Sequence, residues 1–275
     1  MNEDMTQPDA QARKGFINSL LRILKAEPEL PESLRENAFL KLIMERRSIR
    51  KFSSKLIEAD IVAALLEAGR MAPSGVNLQT WTFIQFSPED WMDAFKRTIP
   101  FGGQLAILVL SDLHRLRLLM EEVDFPDEPL TLHSLAVFNA GLAAMNITLA
   151  AEACGLSSIM LSETGQTGLL DPGVLCESLS LPEDVVPVTT IVCGYSKKRL
   201  TPMPPRLPMT MISGKGAYPE VDRDALSLWL GDMKDGYKAM RPWTSFKGQL
   251  RAYKRKIHQA EADLMAVVFP QSSEK

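Results

Sequence analysis

"SLAVFNAGLAAMNITLAAEACGLSSIML", from Ser134 to Leu161, is the stretch whose reading decides the fold. Leu135, Phe138, Leu142, Met145 and Leu149 recur at spacings of three and four, which builds one apolar face of a helix. The remaining faces carry Ala136, Ala140, Gly141, Ala143 and Ala144, which are small rather than charged. A helix with so little to offer water is expected to be buried on nearly every side. Its small residues admit close neighbours, so it reads as the central helix, at or near a subunit interface. "SSIML", after the glycine at 155, reads as a strand.

Working outward, the same alternation of element types continues. Ile57 to Arg70 is a helix with a core stripe of Ile61, Leu65 and Ala68, stopped by Gly69 and Pro73. "WTFIQF" (Trp81–Phe86) and "LAILVLS" (Leu105–Ser111) are short, β-rich and bounded by turn formers, hence strands. Asp171 is read as an N-cap with Pro172 at the first helical position, opening "GVLCESLSL". "VPVTTIVCGY" is a near-continuous apolar run, as an interior strand requires. Strands and helices interleaved from Glu45 to Tyr195 predict a layered α/β-type domain.

On the N-terminal side, "FINSLLRILKA" and "SLRENAFLKLIMERR" read as helices separated by Pro28 and Pro31. On the other side, "KKRLTPMPPRLPM" has too many prolines for regular structure. Two helices are expected after Asp222, around "ALSLWLGDMKDGYKAM" and from Phe246 to Val268. The second carries Leu250, Tyr253, Ile257 and Leu264 among Arg251, Lys254, Arg255 and Lys256. Its sticky face is expected to cross to a partner chain; covering the chain's own core is the alternative.

The 275-residue chain is 45% hydrophobic and 24% charged, ordinary for a globular protein. A net charge of −3 removes any general affinity for nucleic acid, so a basic site must be local. Cys154, Cys176 and Cys193 lie far apart in apolar runs, which predicts free thiols in a reducing compartment. The start of the chain lacks a signal-peptide core and no apolar stretch is read as a membrane span, so the expected location is cytoplasmic.

Phosphate-loop, zinc-protease, nucleophile-elbow and dinucleotide-binding motifs are absent, and His114, His133 and His258 are isolated. Three other segments carry chemistry: "ERRSIRKF" (Glu45–Phe52), "MAPSGVNLQTWTF" (Met71–Phe83) and "PPRLP" (Pro204–Pro208). A dianionic phosphate wants guanidinium pairs and a hydroxyl, which Arg46, Arg47, Ser48 and Arg206 supply. The uncharged donors and acceptors of Ser74, Asn77 and Gln79 suit a polar ring or a polyol.

These segments, with "NAGLAAMNITLAAEACGLSSIML" and "LSLPEDVVPVTTIVCGY" in that order, resemble the nitroreductase family of FMN-dependent oxidoreductases over about residues 39–211. The resemblance implies an α+β fold, with a mixed central sheet flanked by helices. It also implies an intertwined homodimer with an FMN site at the interface, lined by both chains. Arg46, Arg47 and Ser48 match phosphate and ribityl contacts, and Arg206 a late cation on the phosphate. Arg50 matches the cation beside flavin N1 and O2. Pro73, Ser74, Gly75 and Asn77 match the loop arriving from the partner chain, and the backbone at Ser162 and Glu163 matches the contact to flavin N5. Thr80 stands where the family usually has proline, which is expected to loosen the loop; Asn139 stands where Asp is frequent.

The implied organisation is an N-terminal helical extension (1–38), an FMN-binding domain (39–211) and a C-terminal helical extension (212–275). The implied activity takes hydride from NADH or NADPH and reduces a flat acceptor such as a nitroaromatic or quinone, with no metal. The alternatives are a specialised flavin enzyme of the same family (dehalogenation, flavin breakdown or ring oxidation) and a non-catalytic FMN-binding protein.

Overall fold

The structure is a computed structural model that describes residues 7–123, 128–162, 167–196 and 202–269. In chain order the elements are α1 (Gln7–Lys25), α2 (Ala38–Glu45), α3 (Ala59–Arg70), β1 (Trp81–Phe86), α4 (Pro88–Phe95) and β2 (Leu105–Asp112). Then come α5 (His114–Arg117), α6 (Met120–Val123), α7 (Pro129–Ala153), β3 (Ser157–Leu161), α8 (Pro172–Leu179) and β4 (Val185–Gly194). The last are α9 (Met209–Ile212), α10 (Arg223–Met240) and α11 (Phe246–Val268). They form two compact units, Ser33–Arg199 with Tyr253–Lys275, and Met1–Glu32 with Leu200–Ala252.

The larger unit is built on a four-stranded sheet of order β1-β2-β4-β3, in which every neighbouring pair is antiparallel. The mixed central sheet implied by the resemblance is thus antiparallel in its four described strands, with one isolated parallel bridge from Ser48 to Ser158 at the β3 edge. Interleaved helices and apolar strands had predicted an α/β-type layered domain, and the antiparallel ladders correct this to α+β. The apolar runs report that both faces are covered, which helices achieve over antiparallel strands as well. In β2 every residue is buried, and successive side chains serve opposite cores. Ile107 and Val109 pack with Leu65, Trp81, Ala140, Ala143 and Ile147 under α3 and α7. Ala106, Leu108 and Leu110 pack with Phe86, Trp91, Ile159 and Leu175 on the other face, under α4 and α8. Each fully buried Leu, Ile or Val contributes about 1.5–3 kcal/mol of transfer free energy.

The orientation of α7 reverses the simplest reading of its sequence. Ala136, Ala140, Ala143, Ala144, Ile147 and Ala151 face the protein, while Leu135 and Phe138 are 54% and 62% exposed. Small side chains let the helix axis approach α3 and the sheet closely; of the larger residues Leu142 still packs on the core, while Leu135 and Phe138 are left outside. Gly69 belongs to the same contact. It lies inside α3 rather than stopping it, and a Cβ there would meet Ile147 Cγ1 at 2.8 Å and Phe83 Cζ at 2.9 Å. By length and composition alone α7 is apolar enough to cross a membrane, contrary to the expectation that no stretch is, yet its alanine face is committed to the core.

One helix start also differs from expectation. α2 begins at Ala38 rather than Ser33, because the Asn37 side chain accepts the Leu40 N–H at 3.0 Å and caps it. α8 starts as read, with Asp171 at the N-cap and Pro172 at the first helical position, but the Asp171 side chain makes no capping bond and lies 3.4 Å from Lys256 Nζ. That contact, with Asp263 beside Gly173, seats the second half of α11 on α8 of the same chain. Leu250, Tyr253 and Ile257 are 50%, 41% and 44% exposed. In the smaller unit α1 is held to α10 by Arg22, whose Nη2 and Nε reach Asp232 at 2.5 and 3.1 Å. Asp222 caps α10 through the Asp224 and Ala225 N–H groups, at 2.9 and 3.1 Å.

Candidate functional site

The basic turn is made by the end of α2. Arg46 is its C-cap, and the Arg47 guanidinium donates to the Met44 and Arg46 carbonyls at 2.6 and 2.9 Å. Those are last-turn carbonyls that the helix cannot satisfy itself. Ile49 N–H then donates to Ser158 O at 3.1 Å, which pins the extended chain along the β3 edge. Ser48 is half-buried there, and Arg50 is exposed with Nη1 3.4 Å from the Ser48 carbonyl. Among the described residues Arg46 enters no ion pair. Three guanidiniums and a hydroxyl within five residues, on a backbone held straight by a sheet edge, are a donor set that fits a phosphate ester.

The polar loop stands at the other edge, on β1. Pro73, Gly75 and Asn77 are exposed and Ser74 is half-buried. The Ser74 hydroxyl accepts from Gln79 N–H at 3.0 Å, and Val76, Asn77 and Gln79 have φ of 50°, 59° and 50°. Left-handed backbone at non-glycine residues, one of them β-branched, costs energy and needs support from outside.

Thr80 supplies part of that support, correcting the expectation that it loosens the loop. Its side chain is buried, and its Oγ1 accepts from Asn139 Nδ2 at 3.0 Å. The two departures from the family pattern are thus bonded to each other. Sequence reading missed two further residues, Asp112 at the end of β2 and Arg115 in α5. Arg115 Nη2 donates to the Trp81 and Gln79 carbonyls at 2.5 and 3.3 Å, and its Nε lies 3.6 Å from Asp112 Oδ2. A contact across 36 residues leaves no local signature in a sequence.

Trp81 and Ser158, where the two segments join the sheet, sit at diagonally opposite corners in strand order and register. With strands ~4.8 Å apart and ~3.3 Å of rise per residue, the corners are roughly 20–25 Å apart. One chain therefore does not bring its basic turn and its polar loop together at these junctions. Ser162 follows β3 on the same edge as Ser48, and its carbonyl accepts from Leu170 N–H at 2.9 Å. Glu163 lies outside the described residues. Arg206, in the smaller unit, is exposed, and the neighbouring Pro205 carbonyl accepts from Trp229 Nε1 at 3.3 Å.

Sheet, helices and site define an α+β protein with a basic turn at one corner of its sheet and a strained polar loop at the other. Residues 43–100 match the model of the nitroreductase family. A Bacillus subtilis protein named FMN reductase, NAD(P)H, is 28% identical over 193 residues, covering 66% of this chain and 75% of its own. A Staphylococcus haemolyticus NADPH-dependent oxidoreductase is 26% identical over 211 residues, covering 72% and 82%. Among solved structures, NfrA2 of B. megaterium superposes with a TM-score of 0.70 at 20% identity, over 86% of this chain and 97% of that one. The NADPH:FMN oxidoreductase of Vibrio harveyi, complexed with NAD+, does so at 0.63 and 20%, over 80% and 92%. The chain is thus similar to the nitroreductase family in the matched segment and shares its fold.

Proposed function

We propose that the protein is an FMN-dependent NAD(P)H oxidoreductase that works as a homodimer in the cytoplasm, with the flavin between chains. The observation that carries this reading is the separation of the two donor sets. The basic turn suits the phosphate and the polar loop suits the ring, yet the corners they occupy lie too far apart for one chain to close a site. A second copy brings its loop to the first copy's turn, and the exposed Leu135 and Phe138 stripe of α7 offers the apolar surface for that pairing.

In this site Arg46 and Ser48 would hold the phosphate, with Arg47 split between that role and closing α2. Pro73, Ser74, Gly75 and Asn77 of the other chain would hold the ring, with the backbone at Ser162 on its N5 side. When bound, FMN supplies a ring that takes hydride from NADH or NADPH and passes electrons to a second flat acceptor, such as a nitroaromatic or quinone. Arg50 places a fixed positive charge where electron density collects on reduction. No side chain needs to exchange a proton with substrate, which agrees with the absence of an acid–base pair in the sequence.

Titration of flavin-free protein with FMN, followed by flavin fluorescence, tests the reading. About one FMN per chain and FMN-dependent oxidation of NADH or NADPH with a quinone are expected. Protein that takes up no FMN refutes it.

A further inference from the structure

We infer that Arg115 and Asn139 are positioning residues that hold the 74–79 loop in its binding conformation from behind; the inference rests on that loop meeting the flavin. Four consecutive residues at the exit of the loop are tied to distant parts of the chain. Arg115 Nη2 bridges the Gln79 and Trp81 carbonyls. The Thr80 hydroxyl takes the Asn139 amide, and the Thr80 carbonyl takes Asp112 N–H at 3.1 Å. The Thr82 hydroxyl donates to Asp112 Oδ2, the oxygen that also faces Arg115.

These ties matter because of what they restrain. Val76, Asn77 and Gln79 sit in left-handed backbone, and an untied loop would relax toward ordinary φ values. The bonds inside the loop, from Asn77 N–H to Ser74 O and from Leu78 N–H to Gly75 O at 3.1 Å each, close two turns. They do not fix where those turns sit relative to β1. The clamp does, because Asp112 and Asn139 are buried on β2 and α7, whose other residues form the core of the unit. A loop that is binding-competent only part of the time weakens the apparent affinity by that fraction.

The test compares wild type with Arg115→Ala, Arg115→Lys, Thr80→Val and Thr80→Ser by two measurements. Hydrogen exchange of amides 74–79 is followed in flavin-free protein, and the FMN dissociation constant is measured by fluorescence. The Arg115 side chain is 59% exposed, so its removal is expected to leave the fold standing, which a melting temperature for each variant checks. Arg115→Ala and Thr80→Val are expected to speed exchange and to raise the dissociation constant by about three- to tenfold. The bound flavin's absorption spectrum at saturation should be unchanged, because neither residue touches the ring. Thr80→Ser keeps the hydroxyl and should behave as wild type. Arg115→Lys keeps the charge but not the planar fork that spans two carbonyls, and should fall with Ala.

Unchanged exchange in Arg115→Ala and Thr80→Val overturns the clamp, and faster exchange with unchanged affinity overturns its link to the cofactor. Full affinity in Arg115→Lys shows that charge alone acts. If wild type binds no FMN, the flavin reading falls, and the exchange measurement still decides whether the clamp exists.

Discussion

Gly168→Ala should destabilise the protein. Residues 167–171 are bonded to β4 and to the residue after β3, through Leu169 N–H to Val188 O and Leu170 N–H to Ser162 O. A Cβ on Gly168 would lie 2.7 Å from Val188 O, 3.0 Å from Leu161 O and 3.0 Å from Ser162 Cα, against 3.4–4 Å for ordinary contact. All three are backbone atoms of β3, β4 or the residue after β3, so no side-chain rotation relieves the clash. Relief requires the segment to lift by ~0.5–1 Å, and overpacking of this kind costs about 1–3 kcal/mol. Lifting also stretches Leu169 N–H to Val188 O (3.1 Å) and Leu170 N–H to Ser162 O (2.9 Å). Losing one of these adds about 1 kcal/mol. The expected loss is therefore about 2–4 kcal/mol, a large share of the ~5–15 kcal/mol available to a typical domain. Urea unfolding of flavin-free protein measures it, with the midpoint lowered and the slope unchanged. Gly141→Ala is the control, because a Cβ there meets nothing within 4 Å in the single chain. A Gly168→Ala loss under about 0.5 kcal/mol would show that the segment moves freely and would refute the reasoning.

Arg46→Gln should weaken FMN binding by about 1.5–3 kcal/mol, one charge-assisted hydrogen bond, in a fluorescence titration. Arg50→Gln should instead make the bound flavin's midpoint potential more negative, and an unchanged potential with simple loss of FMN would reverse that division of roles. Phe138→Asp places a charge on the exposed α7 stripe and should shift sedimentation toward monomer while releasing flavin in the same run; a loaded dimer would rule out that interface. Burial pushes the His133 imidazole down, outweighing Asp184 Oδ1 at 3.4 Å, so the folded state keeps it neutral. Stability should then be intact above the unfolded value of about 6.5 and fall as pH drops through the lowered folded value. His133→Asn should flatten that slope in unfolding measured from pH 7 to 5. The hydrogen bond from Arg22 holds the Asp232 carboxyl below its ordinary value. The contact of α1 with α10 should therefore weaken only as pH falls from about 4 downward, read by helix loss in circular dichroism.

Much of this molecule is decided by sequence alone. Trp81–Phe86, Ser157–Leu161 and Phe246–Val268 carry their own periodicity and boundary residues, and each forms where its pattern places it. The basic turn and the polar loop are likewise legible, because clustered guanidiniums and clustered turn formers declare themselves within a dozen residues. Tertiary structure decided what depends on distance through space. Alternating apolar residues are compatible with parallel or antiparallel pairing, so only the register of β2 with β4 settled the sheet. The periodicity of α7 marks two faces, and which one turns inward depended on how closely α3 and the sheet approach its alanines. Arg115 carries no mark in the sequence and Asn139 only a departure from the family pattern; their partners lie 36 and 59 residues away. A hydrogen bond depends on a few ångströms and an angle, and neither exists until the chain has folded.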